Sequence, residues 1–119
     1  MAACVWLPLG VATAEAIRFK RESADFEFIL DRLAPQKRAL YLALDNYSPA
    51  DRHQNIYLHY GSWYQADKKG FVDFNFAWFP PQIMRFTSEK VTDIRPSFEF
   101  QPNTFDWNSH NGQRYDYFI

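Results

Sequence analysis

The side chains best suited to acid–base chemistry in this sequence are three histidines and one carboxylate. His53, His59 and His110 are the histidines of the chain, and imidazole exchanges protons near neutral pH. Asp45 directly follows an apolar run, at the place where open parallel sheets bind their ligands. Asp45 and His59 therefore support one hypothesis, a small hydrolase in which both groups handle a proton. The alternative is that Asp45 makes a turn and that His59 bonds to the backbone.

Motifs for metal binding, covalent catalysis and nucleotide binding are weak in this chain. His53 and His59 are six positions apart, whereas a spacing of four would place two imidazoles on one helical face. Cys4 is the single cysteine, which excludes an internal disulfide and a cysteine zinc site. Ser62 lacks the second glycine of a nucleophile elbow, and the four glycines form no phosphate-binding loop. We therefore expect neither a metal nor a cofactor.

Aromatic residues make up 19% of the chain, and most of their rings should fill the core. Trp63, Trp78 and Trp107 differ, because each is flanked by polar or turn-forming residues, and we expect them to be partly exposed. Flat apolar rings with polar rims are the groups on which sugars stack. The candidate ligand-binding residues are therefore Asp45, His59, Trp63, Trp78 and Trp107.

Length and charge fit one folded domain that does not bind nucleic acid. A chain of 119 residues with 47% apolar residues can bury a core without disulfides. The 13 basic and 14 acidic side chains are mixed along the sequence and give a net charge of −1. Because no basic stripe exists to neutralise a run of phosphates, nucleic acid is excluded as an expected partner.

Residues 1–14 are almost wholly apolar and form a segment separate from the expected α/β domain at 15–119. They lack the basic start of a signal peptide and are too few to span a bilayer. Pro8 should break a regular helix here. Three interpretations stay open: a buried first strand or loop, an interfacial anchor, or the end of a transmembrane helix whose earlier part is missing.

Periodicity then predicts alternating helices and strands. A helix is expected over 13–34, because apolar residues recur three and four positions apart until Pro35. Residues 38–44 form an apolar run without alternation, which is typical of a strand buried on both faces. A second helix is expected over 56–69, with Gly70 as its left-handed cap, followed by a strand at 71–76.

The second half of the chain predicts strands and turns. Residues 82–86 are expected to form a short strand or an extended segment, residues 98–100 alternate as in a half-buried strand, and residues 115–119 read as a final strand. The fold class is therefore α/β, a small two-layer or three-layer Rossmann-like sheet with two main helices. Its central strand runs through residues 40–44.

The order of several segments resembles a known family. These segments are ADF at 24–26, LAP at 33–35, LALD at 42–45, YLHY at 57–60, YQADKKG at 64–70, DFNFA at 73–77, PPQIMRF at 80–86, FDW at 105–107 and YDYF at 115–118. Residues 24–119 resemble the soluble C-terminal region of bacterial multi-spanning membrane proteins of the glycosyltransferase type, which use polyprenyl-phosphate sugars. Lys68 and Lys69 depart from the pattern, which has an acidic or neutral residue and a further glycine there.

The resemblance implies a small α/β domain on the extracytoplasmic face, next to a membrane. In such enzymes the catalytic carboxylates lie in loops between early transmembrane helices, none of which is in this sequence. The chain is then a non-catalytic accessory domain of membrane-linked glycan assembly, and residues 1–14 are the remnant of a membrane helix. A membrane or membrane protein and a glycan are the expected partners. The alternatives are a stand-alone carbohydrate- or protein-binding module, and the hydrolase that uses Asp45 and His59.

Overall fold

The computed structural model describes residues 3–50, 55–73, 83, 87, 89 and 98–119, with the backbone alone for residues 3–7 and 99. These residues contain three α-helices and one three-stranded parallel sheet, which confirms the α/β class. The chain divides into two compact units. The first comprises Met1–Leu33 with Tyr47–Ile56, and the second comprises Ala34–Asn46 with Tyr57–Ile119. The expected boundary after residue 14 stays a prediction.

The first unit contains two consecutive helices, α1 (Ala3–Glu22) and α2 (Ala24–Arg32). The helix predicted over 13–34 is present as these two helices, but it begins much earlier and ends at Arg32, and the expected break at Pro8 is wrong. Proline removes only one intrahelical donor, and the alanines and leucines around it favour helix. Residues 8–14 are exposed, so this stretch is not buried as a strand or loop. Among the described residues no helix is both long and apolar enough to cross a membrane.

Ser23 separates the two helices and is buried. Its N–H donates to the Phe19 carbonyl at 2.9 Å, and its own carbonyl accepts the Phe26 N–H at 3.1 Å. The same carbonyl also accepts the Glu27 N–H at 3.2 Å. Backbone hydrogen bonds of the helical type therefore continue across the break between the two helices. Leu30 is also buried, and Phe19 and Phe26 are half-buried, which confirms the predicted apolar face from Phe19 onward.

The second unit is organised around the sheet. Strand β1 (Arg38–Leu40) lies between β2 (Phe71–Val72) and β3 (Tyr117–Phe118), and it pairs with both in parallel. Ala39 pairs with Val72 on one side and with Tyr117 on the other. The prediction of a central parallel strand is therefore confirmed.

The central strand is shorter than predicted. Ala39, Leu40 and Tyr41 are buried, but Leu44 is 81% exposed. The ladder to β3 ends when the Leu42 N–H donates to the Ile119 carbonyl at 2.9 Å. Residues beyond Leu42 lose their partner strand, and the chain turns towards the surface.

The helix predicted over 56–69 is split in two. A 3₁₀ helix, Ile56–His59, precedes α3 (Ser62–Lys68). Gly61 separates them and lies against the ring of Tyr41, because a Cβ at Gly61 would come within 2.5 Å of the Tyr41 Cγ. A side chain at this position would have to displace the buried ring.

The left-handed cap of α3 is Lys69, with φ 54°, and not Gly70 as expected. Gly70 serves a different purpose. A Cβ built on Gly70 would lie 2.1 Å from Cε1 of Tyr64, so the turn can pass the buried ring only with a residue that has no side chain.

Tyr64 ties the sheet to the loop before β1. It is fully buried, its hydroxyl donates to the Ala34 carbonyl at 2.6 Å, and the same oxygen accepts the Lys37 N–H at 3.2 Å. Its ring meets Tyr117 of β3 edge-on, with 6.2 Å between centroids. One side chain of α3 therefore contacts the start of β1, the turn before β2 and β3 itself.

A buried ion pair joins β1 to the end of β2. Arg38 Nη2 lies 2.9 Å and 3.3 Å from the two carboxylate oxygens of Asp73, whose side chain is 0% exposed. The guanidinium carbon also lies 4.9 Å and 5.1 Å from the ring centroids of Phe71 and Tyr115. The cation is thus held by a carboxylate and by two aromatic rings.

Short 3₁₀ helices replace one of the predicted strands. Phe98–Phe100 is a 3₁₀ helix, so the half-buried strand predicted there is wrong, and Pro102–Thr104 and Gly112–Arg114 follow in the same form. The Gln101 N–H donates to the Phe98 carbonyl at 2.9 Å, so local bonds take the donors that a strand would use. Of the other predicted strands, 74–76 and most of 82–86 lie outside the described residues.

Replacing Gly70 by alanine should destabilise the protein by about 1–3 kcal/mol, because the new methyl group would overlap the Tyr64 ring. The control is Gly10→Ala in α1, where a Cβ meets nothing within 4 Å and the helix should gain about 0.5–1 kcal/mol. Urea unfolding measures both variants. A Gly70→Ala protein as stable as the wild type would contradict the close contact.

Asp73→Ala should cost about 1–3 kcal/mol of stability, because it leaves the partly buried Arg38 guanidinium without its carboxylate. The double variant Arg38→Met/Asp73→Leu should recover most of that loss, since two apolar side chains carry no desolvation penalty. Urea unfolding of the single and double variants tests this. Equal losses in both would show that the charges themselves are needed.

Candidate functional site

A group of aromatic side chains in the second unit forms the candidate site, which we call the aromatic surface. Trp107 and Phe118 stack with 5.4 Å between ring centroids and an interplanar angle of 26°. Trp107 is 50% exposed and Phe118 is 45% exposed. Two large rings thus share a fixed geometry while about half of each remains open to solvent.

The aromatic surface continues into the core. Phe118 meets Phe105 with 5.6 Å between centroids and Tyr115 with 5.9 Å. Tyr115 and Leu40 of the central strand are buried together. The exposed rings are therefore attached to the sheet through packed rings, which restricts their movement.

The turn after Trp107 holds the indole in place. The Gly112 N–H donates to the Trp107 carbonyl at 2.8 Å. A Cβ on Gly112 would lie 2.5 Å from Cδ2 of the indole, so the backbone packs directly against the ring. Asn111 takes the left-handed conformation, φ 53°, which lets the chain turn back at this point.

Hydrogen bonds close the loop beside Trp107. The Ser109 N–H donates to Asp106 Oδ1 at 2.7 Å, and the His110 N–H donates to the Asp106 carbonyl at 3.0 Å. Bonds from the Ser109 side chain and backbone hold the pKa of Asp106 below its ordinary value. Asp106 therefore stays an anionic acceptor next to the exposed indole.

His110 belongs to the ring network and was not among the candidate residues. Its imidazole stacks on Phe105 with 5.6 Å between centroids and meets Phe98 edge-on at 5.1 Å. Nδ1 lies 2.9 Å from the Asp106 N–H. The sequence marks His110 only as one of three histidines and not as a site residue, because the rings around it come from positions 98 and 105.

The predicted exposure of the tryptophans is confirmed where the structure describes them. Trp107 is 50% exposed. Trp63 is 53% exposed on α3. Trp78 lies outside the described residues.

The proposed acid–base residues lie on neighbouring stretches of backbone. Asp45 is exposed after the end of β1, and His59 is the half-buried last residue of its 3₁₀ helix. The Tyr57 N–H donates to the Asn46 carbonyl at 3.2 Å, so the two segments run side by side. The Tyr41 hydroxyl donates to the Tyr57 carbonyl at 2.7 Å and so holds the segment that contains His59. The pairing of Asp45 with His59 for catalysis stays a prediction.

Within the described part of the chain, no three His, Cys, Asp or Glu side chains are grouped to hold a metal ion. The partner ring Phe118 was missed by sequence reasoning. The signal was present in the strand period, since Asp116 and Phe118 are exposed while Tyr115 is buried. The contact with Trp107, eleven positions away, depends on the turn at Gly112.

Stability should fall between pH 10 and pH 12, because burial, aided by the nearby Tyr60, raises the pKa of Tyr41 to about 12. The unfolded chain loses this proton near pH 10, whereas the folded protein keeps it until about pH 12. Tyr41→Phe should show a smaller fall over this range in urea unfolding at pH 9, 10 and 11. A variant with the wild-type pH dependence would rule out Tyr41 as the source.

Comparisons of the sequence with family models and curated proteins, and of the fold with solved structures, find no match.

Proposed function

We propose that this chain is a non-catalytic glycan-binding domain and that the aromatic surface is its binding site. The observation that carries the proposal is the stacked pair Trp107 and Phe118, half-exposed but fixed to the core. A sugar ring presents an apolar face of C–H groups, which packs on exposed aromatic rings, and preformed rings lose little conformational entropy on binding.

Polar groups next to the indole suit a sugar better than an apolar partner. Asp106, Asn108 and Ser109 are exposed around Trp107. Hydroxyl groups of a sugar can donate to the ionised Asp106, whose pKa is lowered by its bonds to Ser109. An exposed ring with a polar rim is the arrangement expected of a small carbohydrate site.

The family resemblance supports the same class of ligand and adds a place in membrane-linked glycan assembly. It also implies the extracytoplasmic face. Lys20 and Arg21 in the last turn of α1 favour the opposite side for an inserted helix, because short segments rich in Lys and Arg stay cytoplasmic. Because these two indications point to opposite sides of the membrane, the proposal is glycan binding alone, with no assignment to either side.

We also propose that the sheet is a reduced Rossmann-like arrangement. Strand β1, helix α3 and strand β2 follow one another in the chain, and the two strands are parallel neighbours, as in a βαβ unit. In such sheets ligands bind beyond the carboxyl ends of the strands. Phe118, at the end of β3, lies on that side.

Trp107→Ala should weaken glycan binding by about tenfold or more, since it removes the larger stacking ring. Binding is first measured on a glycan array and then by calorimetry with the oligosaccharide that the wild type retains. Trp107→Phe keeps a ring and should retain part of the affinity. Near-UV circular dichroism of both variants checks that they fold.

Trp63→Ala is the matched control, because Trp63 is equally exposed but lies on α3. It should bind as the wild type does. Loss of binding in Trp63→Ala with retention in Trp107→Ala would move the site to α3. A wild type that retains no glycan on the array would overturn the proposal.

A further inference from the structure

A second concave site lies in the second unit, at the amino ends of the strands. Its volume is about 640 Å³, within the range of small-ligand sites. Arg38 begins β1, Phe71 begins β2 and Asp116 precedes β3, and all three line it. The aromatic surface lies towards the other end of the sheet, at Phe118. We call this second site the polar cleft.

Charged side chains dominate the polar cleft. The residues concerned are Lys37, Arg38, Lys69, Glu89 and Asp116. Gln36 adds an amide, which both donates and accepts hydrogen bonds. The cleft therefore offers donors and acceptors together.

Among the described residues, the charges of the polar cleft balance once Asp73, the partner of Arg38, is included. The Arg38 cation is held by the buried Asp73 at 2.9 Å, and Lys37 Nζ lies 3.8 Å from Asp116 Oδ1. Lys69 and Glu89 contribute one charge of each sign. A ligand with net charge would be attracted by one sign and repelled by the other. A neutral ligand with several hydroxyl groups can use both, since each hydroxyl donates and accepts.

The backbone that lines the polar cleft is preformed. The Gln36 N–H donates to the Lys68 carbonyl at 3.0 Å, which ties the loop before β1 to the end of α3. Gln36 and Lys69 both take the left-handed conformation, with φ 61° and 54°. Such conformations cost energy for residues with a side chain and cluster at binding sites.

We infer that the polar cleft binds a single neutral sugar ring through hydrogen bonds to its hydroxyl groups. This site is distinct from the aromatic surface in position and in the way that it binds, and it does not depend on stacking by Trp107. Hydrogen bonds to charged side chains, such as Lys69 and Glu89, give it specificity for hydroxyl positions.

The experiment is a titration of ¹⁵N-labelled protein with glucose, mannose, galactose and N-acetylglucosamine, followed by the amide signals of Lys69, Gly70 and Phe71. Inorganic phosphate and glycine are the anionic and zwitterionic arms. At least one sugar should shift these signals, and phosphate and glycine should shift them less at equal concentration. Shifts with phosphate or glycine alone, or with none of the probes, would overturn the inference.

Lys69→Gln should weaken the binding of that sugar about tenfold, because a charge-assisted hydrogen bond is lost. Lys68→Gln is the matched control, since it removes the same charge from the neighbouring residue, which does not line the cleft. It should bind within about twofold of the wild type. Equal losses in both variants would show a general charge effect and no cleft site.

Two further variants separate this inference from the proposed function. Trp107→Ala should leave the monosaccharide titration unchanged, so failure of glycan binding at the aromatic surface would not affect the result. Glu89→Gln removes one negative charge and should raise the phosphate-induced shifts, because the described residues around the cleft then carry a net positive charge. Unchanged phosphate shifts in Glu89→Gln would contradict the charge balance on which the choice of ligand rests.

Discussion

The second unit depends on the burial of Tyr64. Its hydroxyl forms hydrogen bonds with the backbone of Ala34 and Lys37, and its ring packs against Tyr117. The backbone at Gly70 packs against the edge of the same ring. Burial also raises the pKa of this hydroxyl, so it stays protonated and able to donate. With strands of only two or three residues, ladder hydrogen bonds alone cannot hold a sheet together. The large buried side chain of Tyr64 on α3 adds the contacts that these short strands lack.

The parts of the fold that were predictable from sequence are those decided by local pattern. The apolar run at 38–44 gave a central parallel strand, and the spacing of apolar residues gave the helical face of Phe26 and Leu30. Proline was a poorer guide, since Pro8 lies inside α1. The strand predicted at 98–100 failed because alternation in three residues cannot be told from one turn of 3₁₀ helix.

The candidate site was predictable only in part, for a related reason. Trp107 could be chosen because its sequence neighbours are polar, and its exposure followed. Phe118 and the polar cleft could not, because their geometry depends on contacts between distant segments. Lys69 is an example. The following glycine, Gly70, is the expected left-handed residue, but Lys69 takes that conformation. Gly70 is needed where the backbone packs directly against the Tyr64 ring.

Both sites share the same small sheet as their support. The rings of the aromatic surface pack onto Tyr115 and Leu40, while the polar cleft is built on the Arg38–Asp73 pair, two residues from Leu40 along β1. A substitution in β1 should therefore affect both sites, whereas Trp107 and Lys69 can each be changed alone. The separate variants of each site use this independence.

The spacing of the strands along the chain has a consequence for synthesis. The Arg38 guanidinium reaches the Asp73 carboxylate across 35 positions, whereas the Arg38 backbone N–H donates to the carboxylate of Asp116, 78 positions away. On a ribosome, β1 and β2 can pair early, while one edge of β1 has no neighbour until β3 emerges. During that interval Leu40 has no cover from Tyr115, and the nascent chain presents an open edge to which chaperones or other chains can bind.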